Sequence, residues 1–288
     1  MAARRETSIQ RRRNPLRPVS PFLNLRRYFE IYLLLLRNSL IREMNFKANF
    51  LLWTLVELLW FGGQILFIDT LFRHSSSIGD WTRWHVVTLV GTHQLIAQLF
   101  QAVFYINLSN LPELVRTGKL DLLLTQPIDA QFAVSTRQFG PDNVLNALLG
   151  LLITLYGLHE LQITPSFPRI LLFAILILTG ISIHYSVMFS LSALSIWMTR
   201  AQGLVFAYFN LFNVGRYPDS VFRGAFRRIL GLMPPVILVA TVPARWLTFP
   251  ADEPWAFTAE LLSGTLACAI LTRLLWLKAL RCYGSASS

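Results

Sequence analysis

Hydrophobic residues along this chain gather into long runs, with polar residues confined mostly to the stretches between them. Six runs stand out, at 48–68, 84–106, 139–158, 170–198, 201–216 and 255–277. About 20 apolar residues wound as a helix cross a hydrocarbon core, where the backbone must satisfy its own hydrogen bonds. The pattern therefore predicts an all-α membrane protein with six transmembrane helices. The fourth run exceeds one span and should tilt or project beyond the bilayer. The fifth is short and is interrupted by Asn210 and Asn213.

Two stretches depart from this pattern. Within 22–47 the apolar run from Ile31 to Leu36 is bracketed by Arg26, Arg27, Arg37 and Arg42. It is too short to span, and it predicts an N-terminal amphipathic interface helix. Within 218–250, Phe222, Phe226, Ile229, Leu230 and Met233 recur at helical spacing opposite Arg223, Arg227 and Arg228. Pro234-Pro235 breaks that helix, and a second apolar piece at 236–242 ends at Pro243. This describes a re-entrant half-helix pair before the last span, a geometry tolerated at membrane depth only when packed against protein. Residues 48–288 thus form a single transmembrane domain, and the Arg-, Pro- and Ser-rich residues 1–21 form a disordered basic arm.

Composition supports lipid as the solvent. Hydrophobic residues make up 54% and charged residues 14%, with mean hydropathy +0.49, whereas soluble domains carry roughly a quarter charged residues. The net charge of +11 is concentrated: residues 1–47 hold eleven Lys/Arg against Glu6, Glu30 and Glu43. A basic arm before a first span holds the N-terminus in the cytoplasm. Six spans then place both termini and 107–138 on the cytoplasmic side. The arm lacks aromatic interleaving and nucleic-acid motifs, so no nucleic-acid partner is expected. Five basic residues in 216–255 fall outside, where they are assigned to outer-leaflet phosphates or substrate. Cys268 and Cys282 are fourteen positions apart, about 20 Å on a helix, which precludes a disulfide. The histidines show no ligand spacing, and no metal site is expected.

The most informative polar stretch is 111–127, LPELVRTGKLDLLLTQP. Pro112 suits the first turn of a short helix, and Gly118 suits a left-handed residue closing it. Leu120, Leu122, Leu123 and Leu124 follow, on the water side of the membrane. Either a partner protein covers them or they pack on this chain's own helix ends.

Leu111, Pro112, Glu113, Arg116, Gly118, Leu120, Asp121, Leu124, Pro127 and Asp129 fill a pattern resembling the LPELxRxGxLDxxLxxPxD loop of ABC-2 type permeases. These are the membrane subunits of bacterial ABC exporters similar to the daunorubicin-resistance permease. The C-terminal residues 279–288, ALRCYGSASS, resemble that family's LRRYxSAS ending. Lys119 and Cys282 depart from it, standing where an acidic and a second basic residue are frequent. The resemblance covers about 22–288. It implies a multi-pass protein of the bacterial cytoplasmic membrane that pairs with a second permease copy or a sister permease. It also implies that 107–138 is a coupling loop for separate ABC ATPase subunits. No G-x-x-x-x-G-K-[ST] loop occurs in the 288 residues, so ATP and Mg are expected on the partner and no cofactor on this chain. Family substrates are amphiphiles, lipids, drugs or glycans exported by alternating access.

Within the membrane, Trp53, Glu57, Trp60 and Gln64 share one helical stripe. A mid-bilayer carboxyl costs a few kcal/mol, so Glu57 should face a translocation path, a dimer interface or a hydrogen-bonded site in the bundle. His93, Gln94 and Gln98, with Gln101, form a second polar stripe, and Asn210 a further polar position. These either line a path or bond between helices. Ser182, Ser186 and Ser190 recur at close-packing spacing, and His184 beside them suits a packed position. An ATP-independent scramblase or secondary carrier is disfavoured because no inverted repeat is visible. A membrane acyltransferase is disfavoured because His74, His85 and His159 do not converge.

Overall fold

The computed structural model describes residues 21–44, 47–198, 201–218, 221, 237–249 and 254–284. Helix α1 covers Pro21–Met44, α2 Lys47–His74 and α3 Arg83–Phe100. A π turn at Gln101–Tyr105 and the short α4 (Ile106–Ser109) carry α3 on into α5 (Leu111–Arg116). The remaining helices are α6 (Leu120–Leu124), α7 (Ala130–Ser135), α8 (Pro141–Glu160), α9 (Phe167–Ala193), α10 (Gln202–Phe212), α11 (Leu238–Thr248) and α12 (Trp255–Cys282). Among the described residues the β structure is one isolated bridge, Ile78 to Trp81.

Among the described residues, five helical segments are long and apolar enough to cross a membrane: Thr54–His74, Arg83–Arg116, Pro141–Glu160, Phe167–Ile196 and Trp255–Cys282. The expected fifth of six spans, 201–216, is not among them. Helix α10 has 11 residues and passes into a 3-10 turn at Asn213–Arg216, so it rises only about 16 Å. Its composition is apolar enough, but its length is not.

The arm at 1–20 and the first half-helix of the expected re-entrant pair, 222–236, lie outside the described residues. The second half-helix runs further than expected. Pro243 does not end it, and α11 continues to Thr248 with every residue from Val239 buried. An interior proline costs about 3 kcal/mol, and packing on all sides of α11 outweighs that. Helix α2 also outruns its expected end at 68, because Asp69 pairs with Arg73 at 3.0 Å and with Arg83 of α3 at 2.9 Å.

Helix α3 is the axis of the bundle. Its apolar window is 78% buried, against 11% for α2 and 17% for α12. It packs most extensively on α8, where Gly91 of one helix and Gly150 of the other bring the two backbones together. On the opposite side α9 holds α12 and α11. Thr272 donates to the Ser186 carbonyl at 2.8 Å and exchanges a hydrogen bond with Ser190 at 2.9 Å. Ser186 and Ser190 of the serine stripe thus lie on a packing seam, whereas Ser182 is exposed and bonds back to the Leu178 carbonyl. His184 is fully buried against Tyr208, with Nδ1 2.6 Å from its hydroxyl.

The bundle has a loop end, bearing α5–α7, and a hairpin end, bearing the Ile78–Trp81 bridge. At the hairpin end Trp81 is fully buried. Arg245 lies over its ring and pairs with Asp80 at 2.8 Å. That pairing accounts for one of the basic residues assigned to outer-leaflet phosphates.

Candidate functional site

Two sites emerge. At the loop end, Pro112 sits in the first turn of α5, and Gly118 adopts φ 69° just beyond it. A β-carbon at that angle is strained, which explains the glycine. Glu113 and Arg116 form a two-point ion pair at 2.7 and 2.9 Å on the exposed face. Leu111, Pro112 and Leu120 are buried in the chain's own core, and Leu123 joins them. Asp121 and Leu124 are half-buried, whereas Pro127 is exposed. Of the two alternatives for these leucines, packing on the chain's own core holds for Leu120 and Leu123. In α6 only alternate faces reach water, and Leu122, 70% exposed, is the large apolar side chain left there.

The loop is clamped from behind. Asp129 caps α7, its Oδ1 accepting from the Gln131 and Phe132 amides at 2.9 and 3.2 Å. Its Oδ2 pairs with Arg273 of α12 at 2.9 Å, and Arg273 also donates to Gln131 Oε1 at 2.9 Å. The Tyr28 hydroxyl of α1 accepts from the Asp129 amide at 2.9 Å, and Ser39 of α1 accepts from the Phe139 amide at 3.1 Å. Tyr185 of α9 bonds Gln131 and Ser135 at 3.0 and 2.9 Å. Asn107 closes the loop by bonding both the carbonyl and the amide of Gln138, at 2.8 and 2.9 Å. The loop is thereby fastened to α1, α9 and α12.

Burial works against charge on Asp129, but the Arg273 hydrogen bond, the Phe132 amide and the Arg273 charge hold its carboxyl below the usual value. A lowered carboxyl stabilises above the ordinary carboxylate range, and that contribution disappears as pH falls through the lowered value. Both partners are partly exposed, so the pair contributes about 0.2–1 kcal/mol. Asp129→Asn keeps a capping oxygen and should lose only this. Asp129→Ala should lose about 1 kcal/mol more through the cap. Thermal unfolding in detergent at neutral pH checks the order of the three proteins, and acidification should merge wild type with the Asn variant.

The second site lies within the bundle. A chamber of about 310 Å³ between α2, α3 and α10 is lined by Glu57, His93, Gln94, Gln98, Asn213 and Arg216, among others. His93 Nε2 lies 3.1 Å from the Phe212 carbonyl. Gln94 and Gln98 are 8% and 2% exposed, and each leaves one end of its amide without a partner among the described residues. The structure thus brings Glu57, His93, Gln94 and Gln98 together. Gln64 sits beside them, its oxygen accepting from Trp60 Nε1 at 2.9 Å and from Arg216 once the amide is oriented to suit both. Asn210 does not join. It is exposed, and its amide returns to the Phe206 carbonyl at 2.9 Å. Asn213, three residues on and past the 3-10 transition, takes the place and bonds Arg216.

A second, apolar cavity of about 580 Å³ is lined by Phe67, Ile68, Leu71, Val86, Val90 and Gln64, and shares Arg216 with the chamber. Arg216 therefore stands where polar and apolar spaces meet. The sequence places it only as one of five basic residues assigned to outer-leaflet phosphates or substrate, with nothing to single it out. Arg273 and Tyr28 were passed over as well, because their partner Asp129 lies more than 100 residues away in each case.

Long apolar helices around a polar chamber, with a braced helical loop at one end, define a multi-pass membrane protein. The family model for ABC-2 family transporter protein matches residues 58–287, and the chain belongs to that family. It is accordingly a membrane permease of an ABC transporter. No curated protein sequence matches it.

Proposed function

We propose that the chain is the permease subunit of an ATP-driven exporter, and that its loop end docks separate ABC ATPase subunits on the cytoplasmic side of a bacterial membrane. The observation that carries this reading is Leu122, held 70% exposed on a loop that is otherwise fastened to three helices. An apolar side chain presented to water on a rigid mount suits a partner groove. Glu113 and Arg116 add exposed charge of both signs to the same loop. Docked ATPases would move the loop as they close on ATP, and the clamps through Asp129, Tyr28 and Tyr185 would pass that movement to α12, α1 and α9. The permease would pair with itself or a sister permease and expose the chamber alternately to each side, exporting an amphiphilic substrate.

The purified chain should hydrolyse no ATP, and a nucleotide-binding subunit should accompany it from mild detergent. Mass spectrometry of the affinity-purified complex checks this. A complex devoid of any nucleotide-binding protein would count against the reading.

A further inference from the structure

Arg216 is half-buried beside the chamber, with no carboxylate within ion-pair distance among the described residues. Its guanidinium bonds Gln64 and Asn213, but Nε is sealed from solvent and meets no partner. Glu57, also half-buried, lines the same chamber and meets the Arg216 charge only beyond ion-pair distance. A cation and a carboxyl that face one chamber without touching, beside two half-satisfied buried amides, leave hydrogen-bonding capacity for a ligand there. The order of these groups carries further information. Arg216 lines both cavities, Glu57 only the polar one.

Resting on the permease reading above, we propose that the paired cavities bind a zwitterionic amphiphile whose anionic group lies next to its apolar chain and whose ammonium lies beyond. The anion, a phosphate or similar oxyanion, meets Arg216 at the junction. The ammonium extends into the chamber towards Glu57, Gln94 and Gln98 complete the polar shell, and the chain occupies the apolar cavity. Both cavities fall in the volume range of small-molecule sites, roughly 300–1,000 Å³. Arg216 suits an oxyanion because its guanidinium is always charged and presents several donors. The reverse order, ammonium next to the chain, would set a cation against Arg216 and an anion against Glu57.

The test uses the full chain in maltoside micelles, with tail-labelled fluorescent lysophosphatidylethanolamine as probe. Competitors are dodecylphosphocholine, in which phosphate adjoins the chain, and a twelve-carbon sulfobetaine, in which the ammonium does. Chain-free phosphocholine is the third. Dodecylphosphocholine should displace the probe about tenfold or more better than the sulfobetaine, the scale of one charge-assisted hydrogen bond. Glu57→Gln should erase that preference, and Arg216→Gln should weaken dodecylphosphocholine about tenfold while Arg216→Lys restores part of it. Equal displacement by the two zwitterions, or displacement by chain-free phosphocholine as strong as by the dodecyl compound, would overturn the proposal. The wild-type competition needs no variant to fold. Binding needs no ATPase, so a failure here is separable from a failure of ATP-driven transport in proteoliposomes, which would instead overturn the permease reading.

Discussion

Leu122→Asp should leave the permease folded and monodisperse yet release its ATPase, whereas Leu120→Asp should wreck the loop before any partner is met. The two leucines are one helical position pair apart, but Leu122 is 70% exposed and Leu120 fully buried. Covering Leu122 in a partner groove contributes about 1.5–3 kcal/mol, equivalent to roughly 10- to 150-fold in affinity. An aspartate in that groove loses this and adds a desolvated charge. Truncating a buried leucine to alanine already costs about 2–5 kcal/mol, and an aspartate at 120 adds an unpaired buried carboxylate. Size-exclusion profiles of each variant alone, followed by ATPase pull-down, check the contrast. A monodisperse Leu122→Asp protein that still held its ATPase and transported normally would defeat the docking reading.

Gly150→Leu should abolish assembly of the bundle. A β-carbon at Gly150 would stand 2.7 Å from the Leu95 amide nitrogen and 3.0 Å from the Gly91 carbonyl oxygen, both of them backbone atoms. Backbone cannot rotate aside as a side chain can, so α3 and α8 must part along their most extensive contact. Overpacking in well-filled cores costs about 1–3 kcal/mol and occasionally more, and this site belongs at the upper end because the obstacle is rigid. Gly203→Leu is the matched control, at an exposed position with open space around its β-carbon. Yield of monodisperse protein and its unfolding temperature compare the two.

Much of the fold was legible because lipid imposes a simple rule. The runs at 48–68, 84–106, 139–158, 170–198 and 255–277 each coincide with a long apolar helix. The rule is silent about which span is central. Helices α2 and α3 are both apolar, yet one is largely exposed and the other forms the axis, a difference decided by where glycines let α8 approach. It also overreads apolar composition without length, as at 201–216, and overreads proline, as at Pro243. The candidate site was half legible. Glu57, His93, Gln94 and Gln98 declare themselves as polar residues inside apolar runs. Arg216 does not, because its role depends on Gln64, 152 positions earlier, and on the 3-10 turn that brings Asn213 rather than Asn210 to the chamber. Leu120 and Leu122 look alike in sequence, and only the direction in which α6 is laid on the bundle tells them apart.

The π turn at Gln101–Tyr105 sets the angular phase between the two sites. Gln94 and Gln98 face the chamber above it, while Asn107 below it faces Gln138 and closes the loop. One residue inserted into a helix turns everything beyond it by about 100° relative to everything before. Without the extra residue, a helix aligned on its glutamines would carry Asn107 a quarter-turn away from Gln138. Lengthening or shortening this junction by one residue would leave hydropathy almost unchanged and still misalign the loop with the chamber. The wide turn works as a fixed offset in the gearing between membrane and loop, so sequence drift there should be read by length before it is read by residue type.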